Sequence, residues 1–307
     1  MSATCTTTPS RKILERTISA SQNGAPPRRL RLAMLGCEDK PPYGPTEHTA
    51  SLFLDLICKT LQDFNKSWTV SIGIYRVQEF DYPTSQQEWN SYDGIILPGS
   101  FSAAYDHDEW IEKLRQVILE EIHEKARPTL GICFGHQVMA SAFEDGEAVK
   151  NPLGSQAGRR SFPLTSKGKD LLMTDRGDNR QELDLYYTHA DMVKRLPTCA
   201  VTLGGTDIVP IQAAAYYRSQ DDAESSPTRP IAITFQAHPE YASPELGLKK
   251  TLGSILEAMQ ERGDISSDEK EVLRQDSIDH YAVVEQDSIE LMKTVGIRLG
   301  WFPNEKC

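Results

Sequence analysis

A cysteine set between two glycines at the end of a short apolar run constrains this chain more than any other feature. Residues 129–132 have the composition of a buried strand. Cys133 follows, with Gly131 two residues before it, Gly135 two residues after it and a helical pattern beyond. This order predicts a nucleophile elbow, a sharp strand-to-helix turn that lifts the central side chain clear of the sheet. The glycines permit the tight backbone, and the helix N-terminus favours a thiolate, the nucleophilic form of cysteine.

A cysteine nucleophile needs a base, and the base needs a group that orients it. The chain offers both after a second apolar run at residues 230–234, where His238 and Glu240 flank a proline. His238 can take the thiol proton and later protonate a leaving amine, and Glu240 can fix the imidazole tautomer. An isolated cysteine is usually a small buried hydrophobe. The elbow and the His-Pro-Glu segment together predict instead a Cys-His-Glu hydrolytic site.

These two segments resemble the class I glutamine amidotransferase family. The pattern of that family is Gly-x-Cys-x-Gly-x-Gln at the nucleophile and a strand ending in His-Pro-Glu, and residues 131–137 and 238–240 match both parts. The resemblance extends over roughly residues 30–245. It implies hydrolysis of a γ-glutamyl amide through a γ-glutamyl thioester on Cys133.

The resemblance also implies where the oxyanion is stabilised. In the family, a glycine-rich loop after the third strand offers backbone N–H groups to the developing negative charge. Here this loop contains Gly99 and Ser100, and with the N–H of Phe134 they are the expected oxyanion donors. Many relatives carry a second glycine where this chain has Ser100, which requires that the backbone of Ser100 keep a negative φ or tolerate strain.

Further residues are expected to bind the γ-glutamyl group. Gln137 lies one helical turn beyond Cys133, from where it can hydrogen-bond the substrate. His189, Ala190 and Asp191 match a family segment whose backbone helps to hold the α-amino and α-carboxylate groups. For His189, a structural role in holding this loop is an equal alternative.

The order of apolar segments predicts the fold class. Strands alternate with helices along the first half of the chain, which is typical of an α/β protein with a mostly parallel central sheet and helices on both faces. This is the flavodoxin-like arrangement of class I glutamine amidotransferases. Short alternating strands between residues 146 and 218 predict an antiparallel extension. The expected strands of the core are residues 31–36, 68–77, 92–97 and 129–132, with helices after Thr46 and over 106–125.

Three segments are expected along the chain. Residues 1–29 are rich in Ser, Thr and Pro and are predicted to be a disordered leader, with an organelle transit peptide as the alternative. Residues 30–262 form the amidotransferase-like domain. Residues 263–307 form a C-terminal helical appendage that either packs on this domain or docks a partner.

Composition excludes several classes of function. The net charge of −11 over 307 residues disfavours non-specific binding to nucleic acid or to an anionic membrane. The six cysteines are scattered without CxxC or CxxH spacing, so neither a zinc site nor a disulfide framework is expected, and a reducing, cytoplasmic location is predicted. No nucleotide-binding motif occurs. We therefore expect no cofactor and no metal.

Three functions stay open. In the family, ammonia passes to a synthase, but only about 60 residues follow the His-Pro-Glu segment. The first function is a stand-alone hydrolase of γ-glutamyl bonds in glutamine, glutathione or a glutathione conjugate. The reason is that the His-Pro-Glu segment and the Gly-Ser loop look similar to those of γ-glutamyl peptidases, a branch of the family that is close to the glutaminase domain of GMP synthetase. The second is a glutaminase subunit that delivers ammonia to a separate synthase partner. The third is a non-catalytic regulator, which the intact Cys, His and Glu set argues against.

Overall fold

The computed structural model describes residues 12–19, 26–64, 66–173, 182–225 and 229–304. The strands are β1 Ile13–Ile18, β2 Arg28–Gly36, β3 Trp68–Arg76, β4 Gly94–Leu97, β5 Thr129–Ile132, β6 Glu147–Lys150, β7 Gln156–Pro163, β8 Glu182–His189, β9 Asp191–Arg195, β10 Ala200–Gly204, β11 Ala213–Tyr216 and β12 Ala232–Phe235. The α-helices are α1 Thr46–Leu61, α2 Gln86–Trp89, α3 Glu109–Val117, α4 Phe134–Ser141, α5 Ser166–Leu172, α6 Gln220–Glu224, α7 Gly253–Glu261, α8 Ser267–Asp279 and α9 Tyr281–Leu299. A π-helical stretch, Ile118–His123, continues α3, and a second one, Pro244–Leu252, leads into α7.

The central sheet has eight strands in the order β1-β3-β2-β4-β5-β12-β11-β10. Its five middle strands, from β3 to β12, pair in parallel. At one edge β1 pairs antiparallel with β3, and at the other edge β11 pairs antiparallel with both β12 and β10. The predicted α/β class with a mostly parallel central sheet is therefore confirmed. Part of the antiparallel extension belongs to this sheet, and the rest forms the two-stranded pairs β6–β9 and β7–β8.

Both faces of the sheet are covered, which explains why its central strands are apolar along their whole length. On β2, Leu32 and Met34 point into one core together with α1 and α9. Ala33 and Leu35, the alternate residues, point into a second core together with α3 and α4. Successive side chains of a strand face opposite sides, so one apolar strand supplies both cores.

The structure corrects the predicted disordered leader in one part. Ile13–Ile18 is a strand and pairs antiparallel with β3, from Ile13 opposite Gly73 to Ile18 opposite Trp68. The first strand of the parallel core also begins earlier than expected, at Arg28. A strand at a sheet edge is stabilised by its neighbour, which is distant in sequence, so a polar local composition does not reveal it. The remaining leader residues, 1–11 and 20–25, lie outside the described ranges.

The C-terminal segment forms α8 and α9. Ser266 caps α8 with a capping box that includes Glu269. Leu291, Val295 and Leu299 of α9 lie in the same core cluster as the strands of the central sheet, as does Trp301 beyond the helix. The segment after residue 262 therefore shares a core with the domain before it. Among the described residues, no helix is both long and apolar enough to span a lipid bilayer.

Candidate active site

Cys133 lies between β5 and α4 with an unusual backbone conformation. Its φ is 52° and its ψ is −106°, in the region that residues other than glycine rarely adopt. The Cys133 N–H donates to the Phe235 carbonyl at 2.8 Å, and the Cys133 carbonyl accepts from the Gln137 N–H at 3.1 Å. Strain of this kind costs about 1–3 kcal/mol and persists where neighbouring structure enforces it, most often at functional sites.

The two glycines of the elbow serve close packing, because neither has a positive φ. A Cβ on Gly135 would clash with the carbonyl of Leu97, and one on Gly131 would lie 2.8 Å from Cγ2 of Thr234. The Gly135 N–H also donates to the Pro98 carbonyl at 3.1 Å. The elbow is thereby held against the end of β4 and the loop that follows it.

His238 and Glu240 form a buried pair next to the elbow. Nδ1 of His238 lies 2.8 Å from Oε1 of Glu240, and the two side chains are 1% and 2% exposed. The imidazole stacks on Tyr241, with ring centroids 4.3 Å apart, and the ring of Tyr43 lies 6.2 Å away. The ring therefore has little freedom to turn, and the carboxylate fixes which nitrogen is available for chemistry.

The electrostatics favour a charged imidazole. Burial by itself would lower the pKa of His238, but the Glu240 carboxylate and Cys133 outweigh burial and raise this pKa above its ordinary value. Within the described ranges Nε2 of His238 has no nitrogen or oxygen partner. Because Nδ1 is occupied by Glu240, Nε2 is the nitrogen left for the thiol of Cys133.

The loop after β4 lies close to both Cys133 and His238. A Cβ on Gly99 would lie 3.2 Å from Cε1 of His238 and 3.6 Å from Cβ of Cys133. Ser100 is buried and has no positive φ, so its backbone is not strained. Among the described residues, neither the Ser100 N–H nor the Phe134 N–H has a hydrogen-bond partner. These are two of the groups expected to face an oxyanion.

Cys133 opens into a cavity of about 430 Å³. Five other predicted site residues line it: Ser100, Gln137, His189, Ala190 and Asp191. His238 and Glu240 do not line the cavity, and the stacking of His238 on Tyr43 connects them to its wall. Nine lining residues had not been indicated by the sequence: Tyr43, Phe101, Lys150, Ser155, Thr188, Ile255, Met259, Arg262 and Asp264.

Gln137 is partly committed to the protein itself. Its Nε2 donates to the Asp191 carbonyl at 3.0 Å and to Oε1 of Gln236 at 3.1 Å. Both amide hydrogens are thereby used, and the side-chain oxygen is the atom left for a ligand. Gln137 therefore ties α4 to the start of β9 at the wall of the cavity.

His189 is a neutral histidine that shapes the same wall. Burial lowers its pKa to about 3. Its Nδ1 donates to the Asp191 carbonyl at 2.8 Å, and the Gln156 side chain lies at Nε2, 3.2 Å away. Burial also raises the pKa of the Asp191 carboxyl, which accepts a hydrogen bond from Tyr105 at 3.1 Å.

A second histidine, His136, lies three residues after Cys133 but is not available as its base. Nε2 donates to the Ile211 carbonyl at 3.2 Å, and Nδ1 accepts from the Thr234 hydroxyl at 2.7 Å. Burial lowers the pKa of His136 to about 4. With both nitrogens occupied, His136 joins α4 to β12 and has no proton to exchange with the thiol.

Fold and site together define an α/β protein with a cysteine at a strained strand-to-helix elbow and a buried His-Glu pair beside it. The chain belongs to the glutamine amidotransferase class-I family, whose model matches residues 66–252.

Individual relatives agree with this membership. The chain is 32% identical over 200 residues to a candidate glutamine amidotransferase of Saccharomyces cerevisiae, covering 62% of this chain and 72% of the yeast protein. It is 24% identical over 189 residues to γ-glutamyl peptidase 5 of Arabidopsis thaliana, covering 62% and 68% of the two chains. In fold, the chain is similar to the crystal structure of a glutamine amidotransferase of Thermotoga maritima, with a TM-score of 0.60 at 19% identity, covering 87% of this chain and 98% of that one.

Proposed function

We propose that this protein hydrolyses γ-glutamyl amide bonds as a stand-alone enzyme, with Cys133, His238 and Glu240 as its catalytic residues. One observation carries the proposal: a buried histidine, oriented by a carboxylate at 2.8 Å, lies beside a cysteine that the elbow presents to a cavity. Nucleophile, base and orienting group in this relation are what covalent acyl transfer requires.

In the first half of the reaction, Sγ of Cys133 attacks the γ-carbonyl carbon of the substrate. The carbonyl oxygen becomes an oxyanion, and the N–H groups of Ser100 and Phe134 are proposed as its donors. The C–N bond then breaks, and His238 transfers its Nε2 proton to the leaving amine. The products of this half are a free amine and a γ-glutamyl thioester.

In the second half, water attacks the thioester. His238, now neutral, takes a proton from the water at Nε2 while Glu240 keeps Nδ1 protonated and the ring in place. The tetrahedral intermediate collapses, glutamate leaves, and the Cys133 thiolate and the His238 imidazolium are restored. Gln137 and the segment from His189 to Asp191 are proposed to hold the α-amino and α-carboxylate groups, because they line the cavity that Cys133 faces.

The size of the cavity supports a substrate larger than glutamine. The cavity of about 430 Å³ is open to solvent, so a group attached to the γ-glutamyl moiety can extend out of it. The similarity to γ-glutamyl peptidase 5 also supports a γ-glutamyl peptide as the substrate. Glutathione and its conjugates are therefore proposed ahead of free glutamine, and delivery of ammonia to a separate synthase is the alternative.

The purified protein tests this proposal directly. It is incubated alone with glutamine, with a γ-glutamyl dipeptide and with glutathione, and the released glutamate is measured. We expect release from the peptides in the absence of any other protein. If glutamine is the only substrate that is hydrolysed, and if its hydrolysis requires an added synthase, the glutaminase subunit replaces the stand-alone hydrolase as the proposed function.

A further inference from the structure

Glu38 is a buried acid that the mechanism above does not use. It follows β2 by two residues and is 7% exposed. A buried carboxylate is tolerated when hydrogen bonds replace the water it has lost. Glu38 has four such bonds, and all of them come from two loops next to Cys133.

The two oxygens of Glu38 serve different loops. Oε1 accepts the N–H groups of Asp39 and Lys40, each at 3.0 Å. Oε2 accepts the Phe101 N–H at 3.3 Å and the Ser100 hydroxyl at 3.4 Å. β2 and β4 are parallel neighbours, so the loops that follow them emerge at the same edge of the sheet. A single carboxylate thereby joins these two loops.

The bonds of Oε2 determine how the loop after β4 presents its backbone. Because the Phe101 N–H is bonded to Glu38, it is not available to an oxyanion. The Ser100 hydroxyl, bonded to Glu38, also accepts the Ser102 N–H at 3.1 Å. The side chain of Ser100 is thus fixed on both sides, while its own N–H has no partner among the described residues. This arrangement gives the side chain of Ser100 a specific role.

The loop after β2 also contacts the proposed base. Tyr43 packs against Phe101, with ring centroids 4.4 Å apart, and against the imidazole of His238. Gly99, on the other loop, lies against both His238 and Cys133. A movement of about 1 Å in catalytic geometry can cost on the order of a hundredfold in rate, so a bond that fixes these loops matters for chemistry.

We propose that Glu38 is a positioning residue that holds the Gly99–Ser100 backbone where the oxyanion of the acyl-transfer step develops. This inference rests on the proposed γ-glutamyl hydrolase function. Glu38 does not touch the substrate; it acts through Ser100 and Phe101.

The test compares two variants of Glu38 with a matched control. Glu38→Ala removes all four bonds. Glu38→Gln keeps the shape but replaces one acceptor oxygen with a donor, so one pair of bonds is lost and the fold is retained. The control is Glu88→Gln, because Glu88 also accepts one backbone N–H and two hydroxyls, from Thr84 and Tyr75, and does not line the cavity.

Two reactions of Cys133 are measured in each variant, hydrolysis of a γ-glutamyl dipeptide and alkylation by iodoacetamide. Alkylation uses the thiolate but forms no oxyanion. We therefore expect both Glu38 variants to lose roughly tenfold or more in kcat, with KM and the alkylation rate within about threefold of wild type. We expect Glu88→Gln to retain wild-type values for all three.

Three outcomes would overturn the inference. If kcat of both Glu38 variants equals that of Glu88→Gln, the bonds of Glu38 do not position the oxyanion donors. If the alkylation rate falls in parallel with kcat, Glu38 supports the fold around the thiol in general. If wild-type protein alkylates at Cys133 but does not hydrolyse any γ-glutamyl substrate, the proposed function fails first and the role of Glu38 fails with it.

Discussion

Nδ1 of His238 lies 2.8 Å from Oε1 of Glu240, and both side chains are almost completely buried. Each of these buried ionisable groups is tolerated because the other is next to it, since a buried charge without a partner is strongly destabilising. The pair raises the pKa of His238 and leaves its Nε2 to Cys133. The same contact thus satisfies two buried polar groups and, in the proposed mechanism, orients His238 as the base.

The first prediction concerns how these two side chains act together. His238→Ala should lower kcat by roughly 10²–10⁴-fold, because the proton transfers to and from the thiol, the leaving amine and water lose their carrier. Glu240→Gln should cost less, because the glutamine can still accept from Nδ1. The double variant should be about as slow as His238→Ala alone, since residues that act as a unit are not additive. Losses in kcat that multiply would contradict a shared mechanism.

The second prediction is a loss of stability in acid. Burial lowers the pKa of His136 to about 4 and that of His189 to about 3, whereas an exposed histidine in the unfolded chain titrates near 6.5. Between these values the unfolded state binds more protons at these two positions, so their contribution to the free energy of unfolding is complete above pH 6.5 and falls as the pH is lowered. The slope should be about 1.4 kcal/mol per pH unit for each histidine.

Urea unfolding at pH 7.5 and 5.5 measures this slope. His136→Gln should reduce the difference in the free energy of unfolding between pH 7.5 and pH 5.5 by about 1.4 kcal/mol, the contribution of one histidine. His107→Gln is the control, because His107 is 90% exposed. An unchanged pH dependence in His136→Gln would mean that this histidine is not held neutral by the fold.

The third prediction tests the close packing at Gly99. In Gly99→Ala the new methyl group would lie 3.2 Å from the imidazole of His238 and 3.6 Å from Cβ of Cys133. We expect kcat to fall by roughly tenfold to a hundredfold, because the catalytic side chains must shift. Gly253→Ala is the matched control, since among the described residues its methyl group would have one neighbour within 4 Å, at 3.8 Å. It should leave kcat unchanged and raise stability by about 0.5–1 kcal/mol. Equal kcat values in the two variants would remove Gly99 from the site.

The fourth prediction separates the C-terminal segment from the chemistry. The indole of Trp301 is 4% exposed and packs directly over Gly94, at the start of β4. Trp301→Ala should lower the free energy of unfolding by about 3–5 kcal/mol, as loss of a buried aromatic side chain does. The kcat of the folded fraction should be unchanged. A folded Trp301→Ala protein without activity would show that the segment from Ser267 onward completes the active site.

Local patterns were enough to predict the fold class and the residues that meet at the centre of the candidate site. Cys133 lies in one short motif and His238 with Glu240 in another, each next to an apolar run that sets a strand. Neighbours in sequence determine such motifs, and parallel pairing brings the ends of β5 and β12 side by side. The expected functions of the glycines differ from those observed, because the positive φ belongs to Cys133 itself.

What the sequence did not indicate depends on contacts between distant segments. Ile13–Ile18 is a strand because β3 lies beside it, and Glu38 matters because its carboxylate reaches Ser100, 62 residues away. The one available signal for Glu38 was its place directly after the first core strand, where ligand-binding and catalytic groups of parallel sheets collect. Arg262 and Met259 line the cavity only because the helix after β12 returns across the sheet edge.

The central claim is that Cys133 carries the γ-glutamyl group during turnover. It is tested most directly by quenching the protein with acid during the first turnover of a γ-glutamyl dipeptide and measuring the intact mass, followed by peptide mapping. We predict a mass increase of one glutamyl group on the peptide that contains Cys133, and no increase in Cys133→Ala. An adduct on another residue, or unmodified protein in a sample that is releasing glutamate, would contradict the account.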